Sequence, residues 1–310
     1  MKKLLPFIGT LAFAGYIPLK EHQIAPVHSG NPLISPQLIE AIPSWHKYGE
    51  LFVYLQTHWV KLLFLIVLIG VPAVFLVHYL IVGPKKFSEK GREFLVFPGW
   101  QRIIHWIAAL GFILLVPTGF LIIYAKFFGG GEWIRFARIL HVTGAVLFAL
   151  VVIPMFVMWL IDMLPRLWDI KWFMILGGYL TKKKQEVPAA KFNAGQKMWF
   201  WLATLGGVVM IITGAMMYFQ DFNLALLNKS NIYQIDWLRI AVITHLFLAM
   251  IIVAFFFTHL YMSVFAIKGS LKSMITGCKG EDELKYLHSI FYKKIIKEGK
   301  DKELAEKCKK

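Results

Sequence analysis

Cysteine is nearly absent from this 310-residue chain: only Cys278 and Cys308 occur. Neither stands in a C-x-x-C-H run, and two thiols fall short of the four that an all-cysteine iron–sulfur cluster takes. A covalently attached haem and a cysteine-held cluster are thereby excluded, and any redox centre must use other ligands. Charge is also scarce, at 17% of residues, and acidic residues are the scarcer sign, 18 against 34 basic for a net charge of +16. No internal repeat, low-complexity tract or strand-like alternation is present. Helices, which satisfy their backbone polar groups internally, are what remains for an apolar chain.

Apolar residues are what the chain has in excess, 58% against the ~45–50% usual in soluble domains. Five segments reach the ~20 apolar residues that cross a ~30 Å hydrocarbon layer: Trp59–Val82, Ile103–Tyr124, Ile139–Met163, Met198–Phe219 and Leu238–Ile267. The expected fold is all-α, one integral membrane helical bundle. At the start, Met1-Lys2-Lys3 precedes the apolar run Leu4–Leu11 and a small-x-small Ala12-Phe13-Ala14. Residues 1–19 therefore read as either a signal peptide or a short anchor. In both cases residues 20–57 lie outside the cytoplasm, as a periplasmic segment.

The positive charge is distributed by topology. Five Lys and Arg lie between Gly83 and Ile104, seven between Leu164 and Lys197 and twelve after Ile267. These segments share one side of the bundle, which the positive-inside rule makes cytoplasmic, and residues 268–310 become a basic cytoplasmic tail. Nucleic-acid binding, the other common reason for a basic chain, does not predict such a pattern.

Among ten histidines, four stand out. His245 and His259 are fourteen residues apart in one apolar segment. Fourteen steps rise about 21 Å and turn about 1400°, only about 40° short of four turns. Both imidazoles project from nearly one face, one near each side of the bilayer. His105 matches His259 in depth, and His141 matches His245. Ionisable groups inside membrane helices are expensive and by default mark function. Two level pairs suit two b-type haems, each with two axial imidazoles from facing helices. His58 and His78, about 160° apart on the Trp59–Val82 helix, read as interface residues, and His22, His28, His46 and His288 lie outside the spans.

Lys191-Phe-Asn-Ala-Gly-Gln-Lys-Met198 resembles the segment that opens the third core helix in the gamma subunit of respiratory formate dehydrogenase. His259-Leu-Tyr-Met-Ser-Val-Phe-Ala-Ile-Lys-Gly-Ser-Leu-Lys-Ser-Met274 is similar to the end of its fourth helix, and Arg138-Ile-Leu-His141 and Arg102-Ile-Ile-His-Trp106 to the other haem-bearing segments. The resemblance covers about residues 97–295. It implies a four-helix di-haem cytochrome b core, here within residues 83–267, with residues 58–82 as one extra N-terminal transmembrane helix. It further implies a bacterial inner-membrane protein with a cytoplasmic C-terminus. Its partners would be a periplasmic iron–sulfur (beta) subunit and a molybdopterin catalytic (alpha) subunit, the latter oxidising formate.

Carried over by position, His141 and His245 would ligate the outer haem, and His105 and His259 the inner haem. Asn193, Gly195, Gln196 and His259 would line a site for a quinone, menaquinone being expected. Asn193 and Gln196 equally fit a capping box at a helix start. Arg102, Arg138 and Arg239 flank the ligands, as propionate partners or as ordinary interface anchors. Two rival readings remain at this stage: the cytochrome b of a membrane hydrogenase or other periplasmic oxidoreductase, and a haem-free transporter with a histidine proton relay.

Overall fold

In the computed structural model, residues 48–88, 90–219 and 234–309 are described. The signal peptide or anchor, most of the 20–57 segment and His22, His28 and His46 lie outside the described residues. Five helices are long and apolar enough to span a bilayer: α1 (Glu50–Ile81), α2 (Gly99–Ile123), α3 (Gly131–Trp159), α5 (Ala194–Tyr218) and α6 (Gln234–Ala266). The short helix α4 (Leu167–Met174) precedes α5 in the chain. Each spanning helix begins before its apolar run, α1 by nine residues. The run marks the hydrocarbon layer, whereas the backbone continues its own hydrogen bonding into the polar interface.

The chain divides into two compact units. One contains the described residues of Met1–Phe64, Gly111–Leu147 and Val209–Ala249. Here α2 and α3 approach closely at Gly144, where a Cβ would lie 2.9 Å from the Gly111 carbonyl oxygen. The first part of α1 joins this unit through Phe64, edge-on to Phe120 at 5.7 Å, and through the Lys61 carbonyl, which accepts from the Tyr124 hydroxyl at 2.6 Å.

The other unit contains Leu65–Leu110, Phe148–Val208 and Met250–Lys310. Its α3 and α5 segments meet at Gly207 beneath Phe148 and where Phe156 stacks on Phe200. The rest of α1 is held here by Phe75, stacked 4.4 Å from Tyr261, and by His78. Tyr179 offers His78 Nε2 a carbonyl at 3.0 Å, which can only accept, so Nε2 carries the proton. Nδ1 then accepts from the Tyr261 hydroxyl at 2.5 Å. His78 is thus an internal tie and not a free interface residue. Elsewhere α1 presents Val74, Leu80 and Ile81 outward, as a lipid-facing helix does.

The residues after Ile267 are folded. Helices α7 (Lys272–Thr276), α8 (Glu281–Leu287), α9 (Ser289–Lys297) and α10 (Asp301–Lys309) follow one another, with strand β2 (Cys278–Gly280) between the first two. β2 pairs antiparallel with β1 (Glu93–Leu95), with Glu93 opposite Gly280. Arg92 clamps Glu281 at 2.8 Å and Asp301 at 2.6 Å, and Cys278 is bonded to Cys308 with their Cα atoms 6.0 Å apart.

Candidate haem and quinone sites

Within the first unit, His141 on α3 and His245 on α6 face each other with ring centroids 6.4 Å apart and planes at 55°. Each Nδ1 lies 3.0 Å from a threonine hydroxyl, that of Thr118 or of Thr213. Each hydroxyl donates its single proton to a carbonyl of its own helix, Leu114 at 2.5 Å for Thr118 and Val209 at 2.8 Å for Thr213. The hydroxyl must then accept from the imidazole, so Nδ1 carries the ring proton. Nε2 is left with its lone pair, the form a metal-binding histidine needs, fixed by an outer partner as such ligands usually are.

The spacing is that of two ligands on one metal. Two metal–nitrogen bonds of about 2.0–2.1 Å plus two half-widths of an imidazole ring come to roughly 6 Å. The residue after each threonine is glycine. A Cβ on Gly119 would stand 3.5 Å from Cε1 of His141, and one on Gly214 would stand 3.4 Å from Cε1 of His245. Together with Nδ1 at 3.9 Å in both cases, these contacts show that the two glycines keep the Cε1–Nδ1 edge of each ligand imidazole free of side-chain bulk. The residues present fit a bis-imidazole haem. Thr118, Gly119, Thr213 and Gly214 are functional candidates that the sequence alone does not single out.

Within the second unit, His105 on α2 and His259 on α6 have ring centroids 6.2 Å apart and planes at 57°. Trp199 stacks on His259 at 5.5 Å and 18°. The Trp106 indole donates to the Met274 carbonyl at 2.9 Å, holding the start of α2. His105 Nδ1 is buried without a protein hydrogen-bond partner, a costly state for a polar atom unless something else engages the ring. This pair, too, has the spacing for one iron, without a threonine arrangement like that of the first.

The helix α5 opens with Asn193 Oδ1 accepting from the Gln196 backbone N–H at 2.9 Å, while Gln196 Oε1 accepts from the Asn193 N–H at 2.9 Å. The capping box is therefore made. Gly195 has a packing duty as well: a Cβ there would lie 3.0 Å from the Trp172 ring. Asn193, Gly195, Gln196 and His259 all belong to this unit.

The flanking arginines are engaged by protein groups in two cases. Arg102 donates to the Ile275 carbonyl, and Arg239 pairs with Asp236 at 2.9 Å, whereas the Arg138 side chain is exposed. His58 stays local, 3.1 Å from the Tyr54 carbonyl. His288 is buried, with Nδ1 donating to the Ala190 carbonyl at 2.8 Å.

Much of the chain is similar to known proteins. Residues 96–277 match the sequence model of the family described as prokaryotic cytochrome b561. The chain is 27% identical over 214 residues to the nitrate-inducible formate dehydrogenase cytochrome b556(Fdn) subunit of Escherichia coli K12, covering 66% of this chain and 93% of that one. It is 29% identical over 184 residues to the formate dehydrogenase cytochrome b556 subunit of Haemophilus influenzae, covering 57% and 72%. A second Escherichia coli K12 subunit, formate dehydrogenase cytochrome b556(fdo), is 27% identical over 205 residues, covering 64% and 90%.

Proposed function

The chain belongs to the prokaryotic cytochrome b561 family, and from that premise we propose that it is the di-haem cytochrome b subunit of a formate dehydrogenase in the bacterial inner membrane. Its electrons would come from a periplasmic iron–sulfur subunit, fed in turn by a molybdopterin subunit that oxidises formate. They would leave on a quinone, menaquinone in this reading, near the cytoplasmic side. Bound haem would supply reversible one-electron transfer.

The observation that carries the reading is the pair of imidazole gaps, 6.4 Å for His141 and His245 and 6.2 Å for His105 and His259, each wide enough for one iron. Thr118 and Thr213 hold their histidines in the ligating tautomer. Around the second pair, Trp199 covers one face of His259 and excludes water from it. Asn193 and Gln196 fix the start of α5, whose first turn has N–H groups without helical partners to offer a quinone carbonyl. The names of the relatives favour formate dehydrogenase over hydrogenase as the complex served.

Replacing His245 with Ala is expected to halve the haem content of the purified protein and to block electron flow from formate to quinone. Unaltered haem content refutes the ligand assignment. Asn193→Asp separates the two roles of the capping residue, since aspartate caps equally well but lacks the amide donor. Haem content and helix content should stay, and affinity for a quinone analogue should fall. Unchanged affinity removes Asn193 from the quinone site.

A further inference from the structure

The second unit buries a charge pair that haem ligation does not use. Lys197, on the first turns of α5, sends its ammonium to Asp169 Oδ2 at 2.7 Å, and both side chains are at least nine-tenths buried. Asp169 sits in the first turn of α4, where Oδ2 also accepts the Arg166 backbone N–H at 2.7 Å. The same ammonium donates to the Leu164 carbonyl at 3.1 Å and lies 6.0 Å from the Trp168 ring. Oδ2 therefore does all the structural work of this carboxylate. Oδ1 is buried and has no protein hydrogen-bond partner.

Two neighbours give that idle oxygen a context. On one side, Asp169 lines a cavity of about 510 Å³ together with Pro165, Arg166, Leu167, Ile170 and Phe173. Arg166 and Leu167 at its rim are exposed. On the other side, Lys197 lies one helical turn after Asn193, on the same face, and its N–H donates to the Asn193 carbonyl at 3.0 Å. Trp172, three residues after Asp169, packs against Gly195. Asp169 thus lines an open cavity and is paired with the helix that starts at Asn193, Gly195 and Gln196. A buried acceptor left without a partner costs free energy, so Oδ1 is the atom of this pair that packing alone does not account for.

We propose that Asp169 is the proton intake of the quinone site, with Lys197 as its fixed counter-ion. The inference rests on the quinone pocket proposed above. Reduction of a quinone to quinol consumes two electrons, delivered singly from the haem side, and two protons that form O–H bonds at the two carbonyl oxygens. Each proton is taken by Asp169 Oδ1 from water in the cavity and released toward the start of α5, which returns the carboxylate to its paired, ionised form. Lys197 is the cation paired with Oδ2 and holds α4 against α5. Lys197, from α5, is the charged group set against this carboxylate, and Arg166, at the head of α4, meets it through its backbone N–H.

The test uses the complete complex in lipid nanodiscs. The haems are reduced with dithionite, a soluble quinone analogue is added, and reoxidation is followed at the haem α-band. Asp169→Asn keeps the shape and the Oδ acceptor but cannot carry a proton. We expect reoxidation to slow by about 100-fold, the lower end of the range for a lost proton donor. Haem content and affinity for the analogue should stay unchanged. Acetic acid, small enough for the cavity, should restore the rate in Asp169→Asn, and Asp169→Glu should retain it.

An unchanged rate in Asp169→Asn with intact binding overturns the proton route. A slowed rate matched by lost analogue affinity or lost haem also overturns it, because the pair is then only a stitch between α4 and α5. Failure of the pocket itself reads out separately: Asn193→Asp with unchanged analogue affinity overturns that reading on binding alone.

Discussion

Four residues set the surroundings of one histidine pair, His141 and His245. Thr118 and Thr213 spend their only proton on helix carbonyls and so force Nδ1–H on His141 and His245. Gly119 and Gly214 keep the ground beside the Cε1–Nδ1 edge of each imidazole clear. Replacing Gly119 with Val should fill that ground while slightly favouring the helix, since Gly is the poorer helix former by about 0.5 kcal/mol. The expected result is loss of one haem per chain with unchanged thermal unfolding of the helices, read by haem-to-protein ratio and circular dichroism. Full haem occupancy refutes the cradle. The histidines were legible because period and depth are written in the sequence. The Thr-Gly pairs were not, because the dipeptide also occurs at Thr143-Gly144 and Thr276-Gly277. There the glycine serves a close helix crossing at Gly144 and a left-handed turn, φ 88°, at Gly277. Only contact with an imidazole separates the two uses.

At the level of elements, the five long helices could be read from their apolar runs, and the capping box from the Asn193–Gln196 spacing. Helix α4 could not, because its eight residues lie inside a basic connecting segment and its buried Asp169 breaks the expected pattern of a polar outer face. Its role becomes visible only through Lys197 and Trp172. The packing of α1 was equally hidden: nothing local to His78 announces Tyr261 or Tyr179, 183 and 101 residues away.

The segment leading to α5 carries a pH dependence of its own. The Val187 N–H donates to the Tyr286 carbonyl at 2.7 Å, the Ile290 N–H donates to the Ala189 carbonyl at 3.1 Å, and His288 pins Ala190. Burial, helped by nearby Lys279 and opposed by the Ala190 hydrogen bond and Glu283, pushes the His288 pKa down from 6.5 to about 4. The unfolded segment therefore binds the proton more readily, so stability is full above about pH 6.5 and falls as pH drops toward 4. At pH 5 the loss is about 2 kcal/mol. Hydrogen exchange at residues 187–190 should accelerate by about 30-fold relative to neutral pH after correction for intrinsic rates. His288→Gln, which cannot charge, should abolish the acid sensitivity, and persistence of it in that variant rules His288 out.

For the whole molecule, charge and function make one demand. In the proposed function, proton consumption at a quinone and formate oxidation on opposite sides would form a redox loop only if the basic side faced the cytoplasm, where inward electron movement would work against about 2.3 kcal/mol per charge for each 100 mV. The three segments 83–104, 164–197 and 268–310 carry 24 of the 34 basic residues, and Asp169 lies in the second of them. Exposed positions allow a direct test: Phe127, 84% exposed between α2 and α3, and Lys300, exposed between α9 and α10. Phe127→Cys should react with a membrane-impermeant maleimide added outside right-side-out vesicles, and Lys300→Cys only after permeabilisation. The natural pair Cys278 and Cys308 is bonded, and both are changed to Ser as the background for labelling. The reverse pattern would turn the positive side outward, place the proposed proton intake in the compartment of formate oxidation, and leave the complex without a transmembrane charge separation to conserve.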